Sequence, residues 1–432
     1  MAIIPQQTLF RWENDINILG DLERLNLVLE NIPDEKLVRK LEDYRGYGRN
    51  DFPVRAMWNM QIAKFVFGHD TQESIIRELN RNVQLRYVCG FYCGKIPRSH
   101  NVTRFLDLLA EYDEEANTMF VRLTEILGEL LSDFGENMAL DSKWIPSKAN
   151  KQSTRKKPDG RSETDAKKGT KTYSGVHKDG TVWKTEKTCF GFKIHLLVDA
   201  KYELPIAFCI TDAATSDIVV GRDLIELLTK QRPEILEGCK YLTADKGYDD
   251  TDIINMLLGV GTRAVIDKRT MWKAQTEKQV PGYENAYYDE HGNVYCYSPE
   301  TAKRNLMTPN GYELERDSSR FACPAQAKGI TCKESANCHC KNVRISGTVD
   351  RRVFPPVQRE TYKWERLYKT RTSVERVNSR LDVSFGFEAR TTRGVKRMKT
   401  RCVLAMITML GLAVGRIKNN QEPLIRSLIK AA

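Results

Sequence analysis

The sequence lacks a hydrophobic run long enough to cross a lipid bilayer. Its first residues show no basic stretch followed by an apolar core, and this pattern predicts that no signal peptide is present. The longest apolar run, residues 402–415, is too short for a membrane span and is typical of a buried core helix. We therefore expect a cytoplasmic protein with no membrane partner.

The sequence also lacks the pattern of a disulfide-stabilised protein. Its 11 cysteines are an odd number, and without an export signal they indicate reduced thiols or metal ligands. Acidic residues are outnumbered, because 68 Lys and Arg stand against 57 Asp and Glu, giving a net charge of +11. The basic excess is clustered, which favours a nucleic-acid partner over a generally basic surface.

The pattern of apolar residues divides the 432 residues into four parts, more than one ordinary domain would hold. Residues 1–135 repeat leucine-rich helical segments and predict a helical N-terminal domain. Residues 136–270 predict a strand, a hairpin and then alternating helices and strands, which is typical of a mixed α/β sheet with flanking helices. Residues 271–352 form a cysteine-containing insertion, and residues 353–432 return to helix.

A polar, basic segment interrupts the predicted sheet at residues 143–187. It contains 13 Lys and Arg against five Asp and Glu. In the absence of DNA, a disordered, solvated loop is as good an expectation for it as an ordered structure.

Three acidic residues stand at places where a sheet and a facing helix would bring them together. Asp141 and Asp245 each end an apolar, strand-like run, and Glu375 lies in a helical segment with Tyr368 and Arg371 at helical spacing. Strand-end aspartates offer short, rigid carboxylates, and a glutamate on a helix offers longer reach. Such a set can hold two Mg²⁺ ions for phosphoryl transfer.

The chain resembles the bacterial insertion-sequence DDE transposases. The matching motifs are Leu-Asp-Ser at Asp141, Ala-Asp-Lys-Gly-Tyr-Asp at Asp245, and Tyr-x-x-Arg-x-x-x-Glu from Tyr368 to Glu375. The run of residues 191–199 resembles the second strand of that family, and residues 78–91 resemble its InsH-type N-terminal domain. This resemblance implies a ribonuclease-H-like catalytic domain behind an all-α N-terminal domain.

The resemblance also implies roles for individual residues. Asp141, Asp245 and Glu375 would bind two Mg²⁺ (or Mn²⁺) ions, and Tyr368 and Arg371 would brace the glutamate or contact a phosphate. The family has a lysine seven residues after the glutamate, where this chain has Asp382, so contacts to the target strand are less well defined. The candidates for DNA contact are Lys193, Lys246, Arg376, Arg380, Lys396 and Arg397. For His195, beside the second strand, a structural role is the favoured interpretation.

Cysteines are concentrated in the insertion. Cys296, Cys323, Cys332 and Cys338 are candidate ligands of a structural Zn²⁺ ion, with Cys340 nearby. Their spacing is irregular, so reduced cysteines without a metal are the alternative. Aromatic residues of the insertion could stack on unpaired bases, but packing within a small β-subdomain is the favoured interpretation.

Together these features predict a DNA transposase that binds the terminal inverted repeats of its own element, acts also on target DNA, and works as a homodimer on DNA. Two alternatives stay open. One is a metal-dependent nuclease that cuts DNA without strand transfer, and the other is a non-catalytic DNA-binding regulator on the same fold.

Overall fold

The structure is a computed structural model that describes most of the chain. The described residues are 20–46, 52–92, 94–151, 153, 161–177, 179, 181–272, 276–298, 302–332 and 338–428. The first 19 residues of the predicted N-terminal domain lie outside them.

The N-terminal part is helical, as predicted. Its helices are α1 (Leu22–Asn31), α2 (Glu35–Arg45), α3 (Val54–Val66), α4 (Gln72–Arg81), α5 (Val83–Cys89), α6 (Ser99–Leu109) and α7 (Asp113–Leu130). The start of α4 shows how the sequence sets a helix boundary, because the Thr71 side chain accepts a 3.1 Å hydrogen bond from the backbone amide of Ser74. Ile75 and Leu79, four residues apart, point from this helix into the core.

A mixed sheet follows, as predicted, but it has six strands where five were predicted. Its strands are β1 (Asn137–Pro146), β2 (Lys167–Val176), β3 (Val182–Asp199), β4 (Pro205–Asp212), β5 (Tyr241–Ala244) and β6 (Arg263–Ile266). They lie in the order β2-β3-β1-β5-β6, with β4 also paired to β3. The helices α8 (Asp217–Gln231), α9 (Pro233–Glu237) and α10 (Thr251–Gly259) connect β4 to β6.

The register of the sheet decides which residues become neighbours. β3 and β4 form the expected antiparallel hairpin, and β3 is also antiparallel to β1. β1, β5 and β6 are parallel, and Leu140 of β1 lies opposite Ala244 of β5. Before the aspartates, most side chains of β1 and β5 are apolar on both faces of the sheet, because helices cover both of its sides.

The insertion forms a small β-subdomain with its own core. It contains β7 (Lys278–Gln279), β8 (Ala286–Tyr288), β9 (Val294–Tyr297), β10 (Arg304–Leu306), β11 (Thr308–Glu313), β12 (Ser318–Ala322), α11 (Pro324–Lys328) and β13 (Asn342–Ser346). The strands make one four-stranded and one three-stranded sheet. The Tyr288 ring packs edge-on against Trp272 and Phe354, so the aromatic residues here serve the packing of the subdomain.

Three helices complete the chain: α12 (Tyr362–Tyr368), α13 (Thr372–Val383) and α14 (Val395–Lys418), with a 3₁₀ turn at Lys369–Arg371 between the first two. α14 is long and apolar enough to cross a membrane by length and composition, but its apolar segment is completely buried. Gly415 lets the helix approach α1 closely, because a Cβ there would lie 2.9 Å from the carbonyl oxygen of Leu27. The prediction of a buried core helix is confirmed.

One continuous core joins the two ends of the chain. Side chains of α1, of α14 and of one face of the sheet belong to the same buried cluster, while α8 and α10 cover the other face. The helical N-terminal part therefore packs directly on the last helix of the chain.

The basic segment 143–187 is not a loop throughout. Its first four residues continue β1, and residues 167–176 form β2, which is paired along its whole length with β3. Alternating lysine and threonine residues favour an extended chain, but weak hydrophobicity hid this strand from sequence analysis.

Candidate active site

Asp141 and Asp245 stand side by side, because the parallel register pairs Leu140 with Ala244 and the two aspartates are the next residues along the chain. Asp245 directly follows the end of β5, as predicted, but Asp141 lies within β1, which continues to Pro146. The amide of Gly247 donates a 2.7 Å hydrogen bond to Asp245 Oδ1 and fixes the carboxylate at the start of a 3₁₀ turn. A Cβ on Gly247 would lie 2.7 Å from the same oxygen, so this close approach requires glycine.

The two aspartates form an electrostatically strained pair. Burial, followed by the charge of Asp245, raises the pKa of Asp141 to about 6. The backbone amide of Ser142 works against this rise in pKa, and Asn378 Nδ2 lies 3.5 Å from Asp141 Oδ2. No lysine or arginine forms an ion pair with Asp141 in the described residues. A cation placed between the two carboxylates would relieve their repulsion.

Glu375 lies on α13, which packs across β1 and β3. Its carboxylate is exposed and forms a 2.8 Å ion pair with Arg371, one turn earlier. The guanidinium of Arg371 lies 5.6 Å from the ring centre of Tyr368, whose ring stacks on Trp364. The charge of Arg371 also partly offsets the rise in the pKa of Asp141. Arg371 therefore interacts electrostatically with both Glu375 and Asp141.

A buried polar network lies behind the aspartates. Lys193 Nζ donates 2.8 Å hydrogen bonds to Asp217 and to the Thr215 carbonyl oxygen. Burial works against it, but the hydrogen bond from Lys193 still holds the pKa of Asp217 below its usual value. Lys193 is 5% exposed, so it is closed to DNA and we leave it out of the proposed DNA contacts.

His195 belongs to the same network. Its Nε2 is 3.1 Å from Thr211 Oγ1, its Nδ1 is 3.5 Å from Tyr248 Oη, and burial lowers its pKa to about 4. A neutral, hydrogen-bonded histidine is what a structural role requires. Asp217 is the acid that sequence analysis missed, because an aspartate in the first turn of a helix is usually read only as a favourable charge on the helix dipole.

Asp382, the departure from the family pattern, has a basic partner on the sheet. Its carboxylate pairs with Lys143, two residues after Asp141 on β1. In this chain the helix therefore carries the acid, Asp382, and the positive charge beside it comes from Lys143 on β1.

Two of the arginines expected to contact DNA are instead bound to a buried acid. Arg376 and Arg380 both pair with Glu203, which is 2% exposed in the turn between β3 and β4, and Arg426 lies 3.6 Å away. Arg380 also donates a 2.7 Å hydrogen bond to the Glu203 carbonyl oxygen. Because both arginines anchor α13 to the sheet, we do not retain them among the proposed DNA contacts.

The remaining candidates are on the surface. Lys246 is exposed directly after Asp245. Lys396 and Arg397, in the first turn of α14, pair with the exposed acids Glu111 and Asp107. Exposed pairs of this kind are weak and can be exchanged for a phosphate.

The cysteines of the insertion meet in one pocket. Cys296, Cys323, Cys332, Cys338 and Cys340 all line a cavity of about 20 Å³, which has room for one water-sized guest. Burial and the neighbouring thiols raise the pKa of Cys296 to about 11. The Cys340 thiol already donates a 2.6 Å hydrogen bond to Asn285 Oδ1.

As they stand, no three His, Cys, Asp or Glu side chains within the described ranges are placed to hold a metal ion. At the sheet edge two carboxylates are together and the third is turned towards Arg371. In the cysteine pocket the donors converge, although residues 333–337 between them are not described. Both sites would need side-chain rotation to close around an ion.

Family models match two parts of the chain. A transposase DDE domain model matches residues 152–410, and a transposase domain model known as DUF772 matches residues 12–108. Asp245 and Glu375 lie inside the first range, and Asp141 lies just before it. Comparison with curated proteins gives no match.

Among solved structures, the chain is similar to a cryo-EM structure of the piggyBac transposase synaptic complex with hairpin DNA. The two are 11% identical, and the match covers 95% of this chain and 80% of that one with a TM-score of 0.40. This score is too low to define a shared fold.

Proposed function

This chain belongs to the transposase DDE domain family, whose model matches more than half of it, and we propose that it cuts and joins DNA at the ends of its own element. The observation that carries this proposal is the register of β1 and β5, which sets Asp141 beside Asp245 under the helix of Glu375. We infer that the sheet is the ribonuclease-H-like core of the catalytic domain.

The donor set fits divalent metal ions. Two adjacent carboxylates, with a raised pKa at Asp141 and no ion pair to that residue among the described residues, favour a hard cation with oxygen ligands. Asp141 and Asp245 would hold Mg²⁺ or Mn²⁺ from the sheet, and Glu375 would complete the site from α13. When bound, two such ions activate an attacking water or 3′-hydroxyl and stabilise the leaving oxygen.

The protein's own residues have supporting tasks. Arg371 orients Glu375 through their ion pair and offsets negative charge near Asp141. Tyr368 supports the Arg371 guanidinium with its ring. Lys246 is exposed beside Asp245 and can bind a phosphate of the DNA strand being cut. Lys396 and Arg397 can add backbone contacts, which give affinity without sequence preference.

The partners follow from this chemistry. They are duplex DNA bearing the terminal inverted repeats, target DNA, and a second copy of the chain, since two ends must be brought together. The helical N-terminal part would recognise the ends, and the place of action would be the nucleoid in a bacterial cytoplasm.

The proposal is tested with linear DNA that carries the gene and its native flanks, incubated with the protein, Mg²⁺ and a supercoiled target plasmid. We expect cleavage at two inverted repeats and joining of those ends to the plasmid, detected by sequencing the junctions. Cleavage without junctions would indicate a nuclease. A shift in DNA mobility without any cut would indicate a regulator.

We also propose a structural zinc ion in the cysteine pocket, held by Cys296, Cys323, Cys332 and Cys338. Four thiolates around one small cavity suit tetrahedral Zn²⁺, and metal binding would deprotonate Cys296, whose pKa is otherwise high. Cys340 is left as the fifth thiol because it already donates to Asn285.

The zinc proposal predicts about one zinc per chain by elemental analysis of the purified protein. Cys323→Ser and Cys338→Ser should each lose it, since three thiolates bind zinc much more weakly than four. The matched control is Cys239→Ser, which replaces another buried cysteine outside the insertion and should retain the metal. A wild-type protein purified without zinc, and unable to take it up, would contradict the assignment.

A further inference from the structure

β2 and the outer half of β3 form a two-stranded ribbon that extends away from the sheet. We define the ribbon as residues 169–176 and 182–189, paired from Gly169–Cys189 to Val176–Val182. The inner half of β3 pairs with β1 and β4, but in the described residues neither edge of the ribbon meets another strand. Eight residues at about 3.4 Å each make it roughly 25 Å long. Residues 182–188 are all exposed.

The ribbon is basic. Its two strands have three lysines, Lys171, Lys184 and Lys187, and one acidic residue, Glu186. Near the tip, Val182 is 75% exposed and Trp183 is 39% exposed. An isolated hairpin of this kind buries little of its own surface, so a bound partner would add stability that the hairpin lacks.

The two faces of the ribbon differ in charge. Residues opposite each other in antiparallel strands share a face, so Lys171, Lys187 and Trp183 lie on one side. That side has no acidic residue. On the other side Lys184 has Glu186 at 3.7 Å.

Lys171 and Lys187 are directly cross-strand, so two positive charges lie close together on this face. An anion lying over this face would interact with both. The row of phosphates along a nucleic acid supplies such anions at regular spacing.

The base of the ribbon connects this face to the buried polar network of the candidate active site. Lys171 Nζ lies 3.9 Å from Asp217 and 5.4 Å from the ring centre of Trp144 on β1. Gly169 allows the close contact at the base, because a Cβ there would lie 2.2 Å from the Ala213 carbonyl oxygen. Trp144 and Asp141 are three residues apart on β1, so this face lies on the side of the sheet opposite the Asp141 side chain.

We propose that the ribbon is a DNA-binding arm that lies in a groove of duplex DNA. The major groove is about 12 Å wide and admits a two-stranded β-ribbon. Lys171 and Lys187 would contact phosphates, and Trp183 would contact the groove near the tip. This inference rests on the proposed function, because it assigns one surface of the same DNA-binding protein.

The test measures binding of a labelled 40-base-pair duplex of arbitrary sequence, without Mg²⁺, as a function of salt. A shortened arm, with residues 170–188 replaced by the turn Asn-Gly, should weaken binding on the order of tenfold or more, because the phosphate contacts of Lys171 and Lys187 are lost. Lys187→Gln should reduce the slope of log affinity against log salt by roughly 0.9. Thermal unfolding should change little, since residues 181–188 are exposed.

Lys184→Gln is the matched control, because it removes the same charge from the opposite face. We expect its salt slope to stay close to that of the wild type. Equal losses in Lys184→Gln and Lys187→Gln would overturn the assignment of this face, and unchanged affinity in the shortened arm would overturn the proposal as a whole.

The alternative partner is a second copy of the chain, because an open strand edge can pair with a strand of another molecule. Light scattering of the shortened arm decides this point. If shortening converts a dimer to a monomer while the DNA affinity of each chain is unchanged, the ribbon binds protein and the proposal fails. Wild-type protein that binds no duplex at all would instead contradict the proposed function, so the two failures are distinguishable.

Discussion

Asp245→Asn and Asp141→Asn should each reduce Mg²⁺-dependent cleavage of the element ends by on the order of 10³-fold or more, since an amide cannot supply the negative charge that holds the ions. The aspartates are neighbours in adjacent parallel strands, so neither can be replaced by a nearby acid without moving the sheet. The measurement is the single-turnover rate of end cleavage on DNA with native flanks.

Stability separates loss of metal binding from loss of fold. Burial of Asp141 beside Asp245 raises its pKa to about 6, so at pH 7 the folded state carries an unfavourable charge that the Asn variant removes. Without Mg²⁺ the melting temperature of Asp141→Asn should therefore equal or exceed that of the wild type. Adding Mg²⁺ should raise the melting temperature of the wild type only.

The matched control is Asp252→Asn, which changes an exposed aspartate of α10 that pairs with Arg222. It should cut DNA at the wild-type rate. End cleavage by Asp245→Asn at the wild-type rate would contradict the assignment of the active site.

Glu203→Gln should lower the free energy of unfolding by about 3–5 kcal/mol, the usual cost of removing one partner from a buried ion pair. Glu203 is almost completely buried and compensates Arg376 and Arg380. Without the carboxylate, Arg380 would keep its charge in a site where it is only 14% exposed. The measurement is urea-induced unfolding, followed by the fluorescence of the tryptophans.

The control is Glu111→Gln, the same substitution in an exposed pair. Glu111 and Lys396 are 61% and 66% exposed, so its loss should cost less than about 1 kcal/mol. Similar effects of the two substitutions would mean that the Glu203 cluster does not anchor α13. Since α13 also carries Glu375, the Glu203 variant should lose end cleavage at temperatures where the rest of the protein is still folded.

Local patterns were sufficient to predict five of the six strands of the sheet and its pair of aspartates. Apolar runs that end in Asp141 and Asp245 predict strands, and the parallel register brings the two aspartates together even though β1 continues beyond Asp141 to Pro146. The helix of Glu375 was also predictable from its spacing. The buried segment of α14 was predictable because residues 402–415 include no charged side chain that would need contact with water.

Partnerships across long stretches of chain were not predictable. Arg376 and Arg380 look like a free basic face of a helix until Glu203 is known to lie beneath them. In the same way, Asp382 appears to break a phosphate contact until Lys143 is seen beside it. Helical spacing identifies the face on which a charge lies but not the opposing group.

The ribbon was missed for a different reason. Its strands have lysine and threonine where a sheet in the core would have apolar residues, so hydrophobic periodicity gives no signal. The ribbon is an ordered structure because its strand β3 begins in solvent and continues inward as a buried strand of the core.

The position of α14 affects how the protein can be made. This helix starts at Val395 and fills the centre of the core that α1, α3 and α7 share with the sheet. While roughly the last forty residues are still inside the ribosome, the apolar surface of α1, α3, α7 and the sheet that α14 will cover stays exposed. Completion of the fold must therefore wait until α14 has left the ribosome, and a chain that ends before α14 would be an aggregation-prone fragment.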